Sequence, residues 1–294
     1  MTAGPPPSAL SPLERARAEA VLGWRPASWR PVHGGYTPAA RYVAADGDRR
    51  AFVKVATNPT TAAMLRREAR AYGAAHGPFM PRFLGWSDDP VAPLLVIEDL
   101  SEAAWPPPWT TAMIDQVLEQ VAAMHAERVD LPALTDFNPR ALDGWSSVAR
   151  DAGPFLSLGF ASQAWLDAAL PALSAAEAAC SAEGEALTHY DLRSDNICIA
   201  AGGAMFVDWA AAARGNPALD LGFWLPSLQL EGGPAPESIL PGHPEVAAVV
   251  CGYFAARAGL PVIPSAPRVR VIQRAQLQSA LPWVVRALGL PPPA

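Results

Sequence analysis

The sequence predicts an α+β protein, with a small antiparallel β-sheet in the first third of the chain and a larger, mainly helical part after it. Three observations predict this. Short apolar runs separated by turn residues crowd positions 29–97, the pattern of strands joined by tight connections. Beyond the Pro106-Pro107-Pro108 linker, apolar residues recur at helical spacing through most of the remaining chain. With 294 residues, 51% of them apolar, the chain is long enough to bury a substantial core.

Residues 1–11, with Pro5-Pro6-Pro7, are expected to be loosely attached. Pro12 at a first helical turn, Glu14 beside it, and Leu13, Ala16, Ala20 and Val21 at helical spacing predict a helix ending near Gly23. Positions 29–32, 40–44 and 51–56 read as strands, separated by His33-Gly34-Gly35-Tyr36-Thr37 and by Asp46-Gly47-Asp48. A helix over 60–74 places Leu65, Glu68 and Tyr72 on one face and spreads Arg66, Arg67 and Arg70 over others. Positions 81–86 and 94–97 complete a sheet of about five strands.

In the second part, Ile114, Val117, Val121 and Met124 predict a buried helix over 110–127, whose His125 reads as a satisfied core histidine. Residues 131–158 read as loop-rich, and 163–180 as a helix interrupted around Pro171. Three more helices are predicted over 218–228, 244–258 and 268–288. The expected division is a sheet-containing lobe at 1–98 and a helical lobe at 99–294.

Composition narrows the function. A net charge of −6 without a basic run does not suggest a nucleic-acid-binding surface. No stretch of about 18 apolar residues and no basic, apolar leader is present, so a membrane role is unsupported and a cytoplasmic location is expected. Cys180, Cys198 and Cys251 are far apart and odd in number, which suits buried thiols better than a disulfide framework or a zinc site.

The chemistry concentrates in 187–209, LTHYDLRSDNICIAAGGAMFVDW. Two apolar runs around Gly202-Gly203 predict a loop leading into a β-hairpin, with Asp191 in the loop, Asn196 at the edge of the first strand and Asp208 just past the second. Two carboxylates and an amide so arranged suit phosphoryl transfer from a magnesium nucleotide, which needs oxygen ligands for the metal and a base for the attacking hydroxyl. Asp191 is the candidate base, and Asn196 and Asp208 are the candidate metal ligands. Lys54, the sole lysine, stands within the strand Phe52-Val53-Lys54-Val55. In a chain whose other cationic side chains are arginines, a compact ammonium there points to nucleotide phosphates. Gly34 and Gly35 would let backbone N–H groups approach phosphates; taken alone the segment reads as a plain turn, and Lys54 shifts the reading toward phosphates.

The run His189-Tyr190-Asp191-Leu192 through Asn196 resembles the catalytic loop of protein kinases, with Asp208 in the place of their metal-binding Asp. Asp208-Trp209 followed by Gly215-Asn216-Pro217-Ala218-Leu219-Asp220-Leu221 is similar to the aminoglycoside phosphotransferase and choline-kinase-like family of small-molecule kinases. That resemblance implies a protein-kinase-like two-lobe fold with nucleotide in the cleft, ATP and Mg2+ as cofactors, and a small-molecule hydroxyl acceptor. It further implies that Glu68 pairs with Lys54, a surface Glu–Arg pair being the rival reading. Glu98 and Leu100 would bond adenine through their backbone groups, Arg193 would steady the transferring phosphoryl group, and His189 and Asp220 would brace the loop. Tyr190 and Ser194-Asp195 depart from the family, which has a small residue after the His and Pro-Gly before the Asn.

A catalytically silent nucleotide-binding regulator is the alternative, and the joint presence of Lys54, Asp191, Asn196 and Asp208 argues against it. A dehydrogenase lacks its Gly-x-Gly-x-x-Gly unit, and a Walker-type NTPase lacks a lysine after a Gly-rich loop. From 221 onward only Glu231, Glu237 and Glu245 oppose Arg257, Arg268, Arg270, Arg274 and Arg286. That balance predicts a neutral or weakly anionic hydroxyl compound, such as a sugar or a nucleoside-like metabolite, over a polycationic aminoglycoside. Trp224 and Trp283 read as core or as stacking faces. GTP as donor, the identity of the acceptor and the oligomeric state stay open.

Overall fold

The computed structural model describes residues 10–33, 38–137, 142–264 and 266–293. The chain divides into two units. The first is Met1–Trp105 with Asp115–Ala123 and Asp195–Ala212, and the second is Pro106–Ile114, Met124–Ser194 and Ala213–Ala294.

The first unit opens with helix α1 (Pro12–Leu22), defined at both ends by local chemistry. Ser11 and Glu14 exchange capping-box hydrogen bonds, Pro12 occupies the first turn, and Gly23 ends the helix in the left-handed region at φ 70°. Strands β1 (Ser28–Pro31), β2 (Ala40–Asp46) and β3 (Arg49–Val55) come next. The β2–β3 connection is the two-residue Gly47–Asp48 turn, since Asp46 pairs with Arg49, and Gly47 takes φ 57° at its first position. Helix α2 (Pro59–Ala74) is capped reciprocally by Asn58 and Thr61. Strands β4 (Phe83–Ser87) and β5 (Leu94–Ile97) complete an antiparallel sheet in the order β1-β2-β3-β5-β4.

Strand alternation decides what β3 presents on each side. Ala51, Val53 and Val55 join a core with Leu10, Ala18, Tyr42, Ala44, Leu94 and Val96, where each buried valine contributes about 1.5–3 kcal/mol. Lys54 lies between those valines and therefore projects from the opposite face, where it is also buried. Later in the chain, Ile197–Ala200 and Gly203–Phe206 form a hairpin. Its turn is Ala201–Gly202, one residue earlier than the expected Gly202-Gly203, because Ala200 pairs with Gly203, which enters the strand at φ 116°. Ala104 bridges to Ile199 of this hairpin.

Helix α3 (Thr111–Ala126) contributes Asp115–Ala123 to the first unit and its ends to the second. The second unit holds three short helices where a loop-rich stretch was expected: α4 (Leu134–Phe137), α5 (Gly144–Arg150) and α6 (Gly153–Leu156). Helix α7 (Gln163–Ala179) runs through Pro171 without a break. Proline removes one N–H from the ladder, but Trp165, Leu166, Ala169 and Leu173 are buried along the same helix, and that packing outweighs the local penalty. Helices α8 (Pro217–Leu230), α9 (Pro236–Ile239), α10 (Pro244–Ala258) and α11 (Val269–Ala287) complete the unit. Every residue from Val246 to Gly252 is buried, so α10 is apolar all round, as a helix enclosed by others must be. A Cβ on Gly144 would come within 2.1 Å of the Gly252 backbone, which is how closely α5 and α10 approach. Ala186–Thr188 pairs with Ala213–Gly215 in a two-stranded ladder that the sequence did not announce. Among the described residues no helix is long and apolar enough to cross a membrane.

Candidate active site

In the first unit three ionisable side chains meet. The Lys54 ammonium donates to Glu68 Oε1 at 2.7 Å and to Asp208 Oδ1 at 3.3 Å. Glu68 reaches it because Thr61, Leu65, Glu68 and Tyr72 form the buried stripe of α2. Burial opposes the Lys54 charge, but Asp208 and Glu68 together outweigh it and lift the pKa above the ordinary lysine value. Burial pushes the Glu68 carboxyl up, while Lys54 pulls it part of the way back. The ammonium therefore keeps its proton and stays a fixed point charge.

Asp208 is delivered by the hairpin. The Val207 N–H donates to the Asn196 C=O at 2.9 Å, so Asn196 and Asp208 leave the same end of the two strands. Asp208 itself adopts a left-handed backbone, φ 70° and ψ 55°, a conformation that costs a non-glycine residue about 1–2 kcal/mol. Its neighbours hold it there. The buried Trp209 donates its indole N–H to the Phe206 C=O at 2.8 Å, and Arg67 Nε of α2 donates to the Ala210 C=O at 3.1 Å. The Asn196 amide, in a residue 4% exposed, and the Asp208 carboxylate are hard oxygen donors, the type Mg2+ accepts alongside phosphate oxygens and water. Among the described residues there is no group of three or more His, Cys, Asp and Glu able to hold a metal. The donor types at Asn196 and Asp208 fit a hard divalent ion.

At the end of β5 the Glu98 N–H donates to the Arg82 C=O at 2.9 Å, and the Glu98 carboxylate accepts the Arg82 N–H at 3.1 Å. The Leu100 C=O accepts the Ala103 N–H at 3.1 Å and the Trp105 indole N–H at 3.3 Å. Among the described residues the Glu98 C=O and the Leu100 N–H have no hydrogen-bond partner. Gly34 and Gly35 lie outside the described residues.

In the second unit a buried carboxylate organises the loop that carries Asp191. Asp220 Oδ2 accepts the His189 N–H at 2.9 Å and His125 Nε2 at 3.0 Å, and Oδ1 accepts the Tyr190 N–H at 2.7 Å. These bonds hold Tyr190 at φ 55°, a second non-glycine residue in the left-handed region. The Asp191 N–H then donates to His189 Nδ1 at 3.3 Å, so Nδ1 carries a lone pair and the ring proton sits on Nε2. Asp191 emerges with its side chain 41% exposed and Oδ1 3.2 Å from Arg193 Nε.

One partner of this loop region, counted in the sequence only for its charge, was not legible there. Glu231, just past α8, accepts Ser194 Oγ–H at 2.6 Å on one oxygen and the Trp109 indole N–H at 2.8 Å on the other. No local pattern marks it, because its partners lie 37 and 122 residues away. Trp224 and Trp283 are both fully buried and serve the core.

Comparison with known proteins agrees in kind. A model of the phosphotransferase enzyme family matches residues 28–241. Among solved structures, a thermostable mutant of aminoglycoside phosphotransferase APH(4)-Ia in ternary complex with ADP and hygromycin B superposes with a TM-score of 0.58 at 15% identity, covering 93% of this chain and 98% of that one. Choline kinase LicA from Streptococcus pneumoniae gives 0.57 at 14% identity, covering 93% and 98%. Spectinomycin phosphotransferase APH(9)-Ia in complex with ADP and spectinomycin gives 0.52 at 11% identity, covering 96% and 98%. No protein of curated function matches the chain in sequence. The fold is thus the α+β, protein-kinase-like one, and the chain belongs to the phosphotransferase enzyme family.

Proposed function

We propose that the protein transfers the γ-phosphoryl group of ATP, with Mg2+, to a hydroxyl of a small molecule, residues 1–98 forming the nucleotide-binding lobe and 99–294 carrying the catalytic loop and acceptor site. The observation that carries this reading is the buried Lys54 ammonium held between Glu68 and Asp208. A structural ion pair needs one carboxylate. A lysine between two, one of them on a strained backbone at a hairpin end, is arranged to face further charge.

In this reading Lys54, oriented by Glu68, holds the nucleotide phosphates, and Glu98 with Leu100 offers peptide groups to the base. Gly34 and Gly35 are proposed to cover the phosphates with their N–H groups. Asn196 and Asp208 would hold Mg2+, which when bound neutralises charge building on the phosphoryl oxygens. Asp191 accepts the proton of the attacking hydroxyl, a contribution on the order of 10²–10⁴ in rate. Arg193 places its guanidinium beside the transferring group. Asp220 and His189 act through position, fixing the backbone on which Asp191 stands.

For the acceptor, charge pairing supports a neutral or weakly anionic compound. Beyond residue 221 each carboxylate is engaged within the protein: Glu231 by Ser194 and Trp109, Glu237 by Arg286 at 2.5 Å, and Glu245 by His243 at 2.8 Å. Arg257 stacks over the Tyr253 ring at 4.0 Å and Arg274 over Phe160 at 5.4 Å, so this region carries more cations than carboxylates, two of them against aromatic faces.

The test is nucleotide consumption by the purified protein, with and without Mg2+, across a panel of sugars, nucleosides and aminoglycosides, comparing wild type with Asp191→Ala. Magnesium-dependent turnover on a neutral hydroxyl compound, lowered at least about a hundredfold in Asp191→Ala, is the expected result. Nucleotide binding without transfer to any acceptor would favour the silent regulator. A higher kcat/KM for aminoglycosides than for every neutral acceptor would overturn the acceptor assignment.

A further inference from the structure

The segment from Glu98 to Trp105 distributes its hydrogen bonds unevenly. A carbonyl oxygen has two lone pairs, and at Leu100 both are taken, by the Ala103 N–H at 3.1 Å and the Trp105 Nε1–H at 3.3 Å. The backbone that carries the indole is held as well. Ala104, immediately before it, exchanges hydrogen bonds with Ile199 in both directions, at 2.9 and 2.8 Å. Asp99 Oδ1 accepts the Ser101 N–H at 3.2 Å, which closes the turn between these fixed points. The Trp105 ring itself stays 41% exposed, so the bond to Leu100 is the polar anchor of an otherwise half-solvated side chain.

We propose that Trp105 is a base-selecting residue, making this segment accept adenine and disfavour guanine. The inference rests on the reading of Glu98 and Leu100 as the peptide groups that meet the base. Adenine presents a 6-amino donor beside the N1 acceptor, which match the Glu98 C=O and the Leu100 N–H. Guanine presents the O6 acceptor beside the N1–H donor. In the same position each of its groups meets its like, acceptor against acceptor and donor against donor. Guanine is satisfied only after sliding one step along the segment, so that O6 takes the Leu100 N–H and N1–H seeks the Leu100 C=O. That carbonyl is the one already filled by Ala103 and Trp105. Guanine must break a hydrogen bond of the protein or leave a donor unpaired, and adenine does neither. A site built on such pairing discriminates against the mismatched partner by about ten- to a hundredfold.

Dissociation constants of ADP and GDP, measured with Mg2+ by calorimetry on the full chain, test this without requiring turnover or a known acceptor. Wild type is expected to bind ADP about tenfold or more tightly than GDP. Trp105→Phe, which keeps an aromatic ring but removes the five-membered ring that carries the N–H, is expected to lower that preference by about fivefold or more. Equal affinity of wild type for the two nucleotides overturns the inference while leaving the proposed kinase activity standing, and so does an unchanged preference in Trp105→Phe. Binding of neither nucleotide by wild type overturns the proposed function and this inference together.

Discussion

Replacing Asp220 by Asn changes one atom type at the centre of the loop that carries Asp191, and its cost follows from the geometry. The carboxylate accepts two backbone N–H groups, from His189 and Tyr190 at 2.9 and 2.7 Å, and His125 Nε2 at 3.0 Å, in a site with no solvent exposure. An amide supplies one acceptor oxygen and one NH2. With the oxygen toward His189 and His125, the NH2 faces the Tyr190 N–H; turned round, it faces the His189 N–H. Either way one buried backbone donor meets another donor and loses its partner, at about 1–3 kcal/mol, and the remaining bonds lose their charge assistance. The sum is roughly 2–4 kcal/mol, a large part of a typical 5–15 kcal/mol stability. Urea unfolding with linear extrapolation measures it. Tyr190 is held at φ 55° by the same carboxylate, so release of its backbone shifts Asp191, and kcat is expected to fall at least about tenfold. A stability loss below about 1 kcal/mol would refute the claim that Asp220 is the organising acceptor of this loop.

Lys54→Arg keeps the charge but replaces a compact ammonium with a larger planar fork in a fully buried position between Glu68 and Asp208. We expect kcat/KM to fall at least about tenfold, ~1.4 kcal/mol, in steady-state kinetics, and wild-type activity in that variant would contradict the phosphate-binding role. Burial raises the thiol pKa values of Cys180 to about 11 and Cys198 to about 12, and lifts that of Cys251 well above the ordinary range. The fold thus favours the neutral thiols, so their contribution to stability is complete below about pH 8.5 and is lost as pH rises through 11 to 12. At pH 8 only about a thousandth of Cys180 is thiolate. A thiol-specific disulfide reagent should label the native protein slowly, the rate rising about tenfold per pH unit, and should titrate all three cysteines after denaturation. Rapid stoichiometric labelling of the native protein at pH 8 would show that the thiols are not protected by burial.

The sequence by itself determined whatever depends on neighbours within a few residues. Pro12 and Gly23 bound α1, and Gly47 sets the β2–β3 turn, because caps and tight turns are satisfied by groups one to four positions away, whereas Ser11, expected in the loosely attached segment, caps α1. Lys54 was conspicuous as a charge among strand apolars, and the α2 stripe through Leu65, Glu68 and Tyr72 followed from helical period alone. Only the tertiary structure decided the long pairings. Asp208 meets Lys54 across 154 residues, His125 meets Asp220 across 95, and Glu231 meets Trp109 across 122. Such contacts leave no local pattern, since any carboxylate or histidine is chemically suited to many partners and the choice is made by packing. The same reason carries α7 unbroken through Pro171 and pairs Ala186–Thr188 with Ala213–Gly215: buried side chains and a distant strand supply the free energy that local propensity lacks.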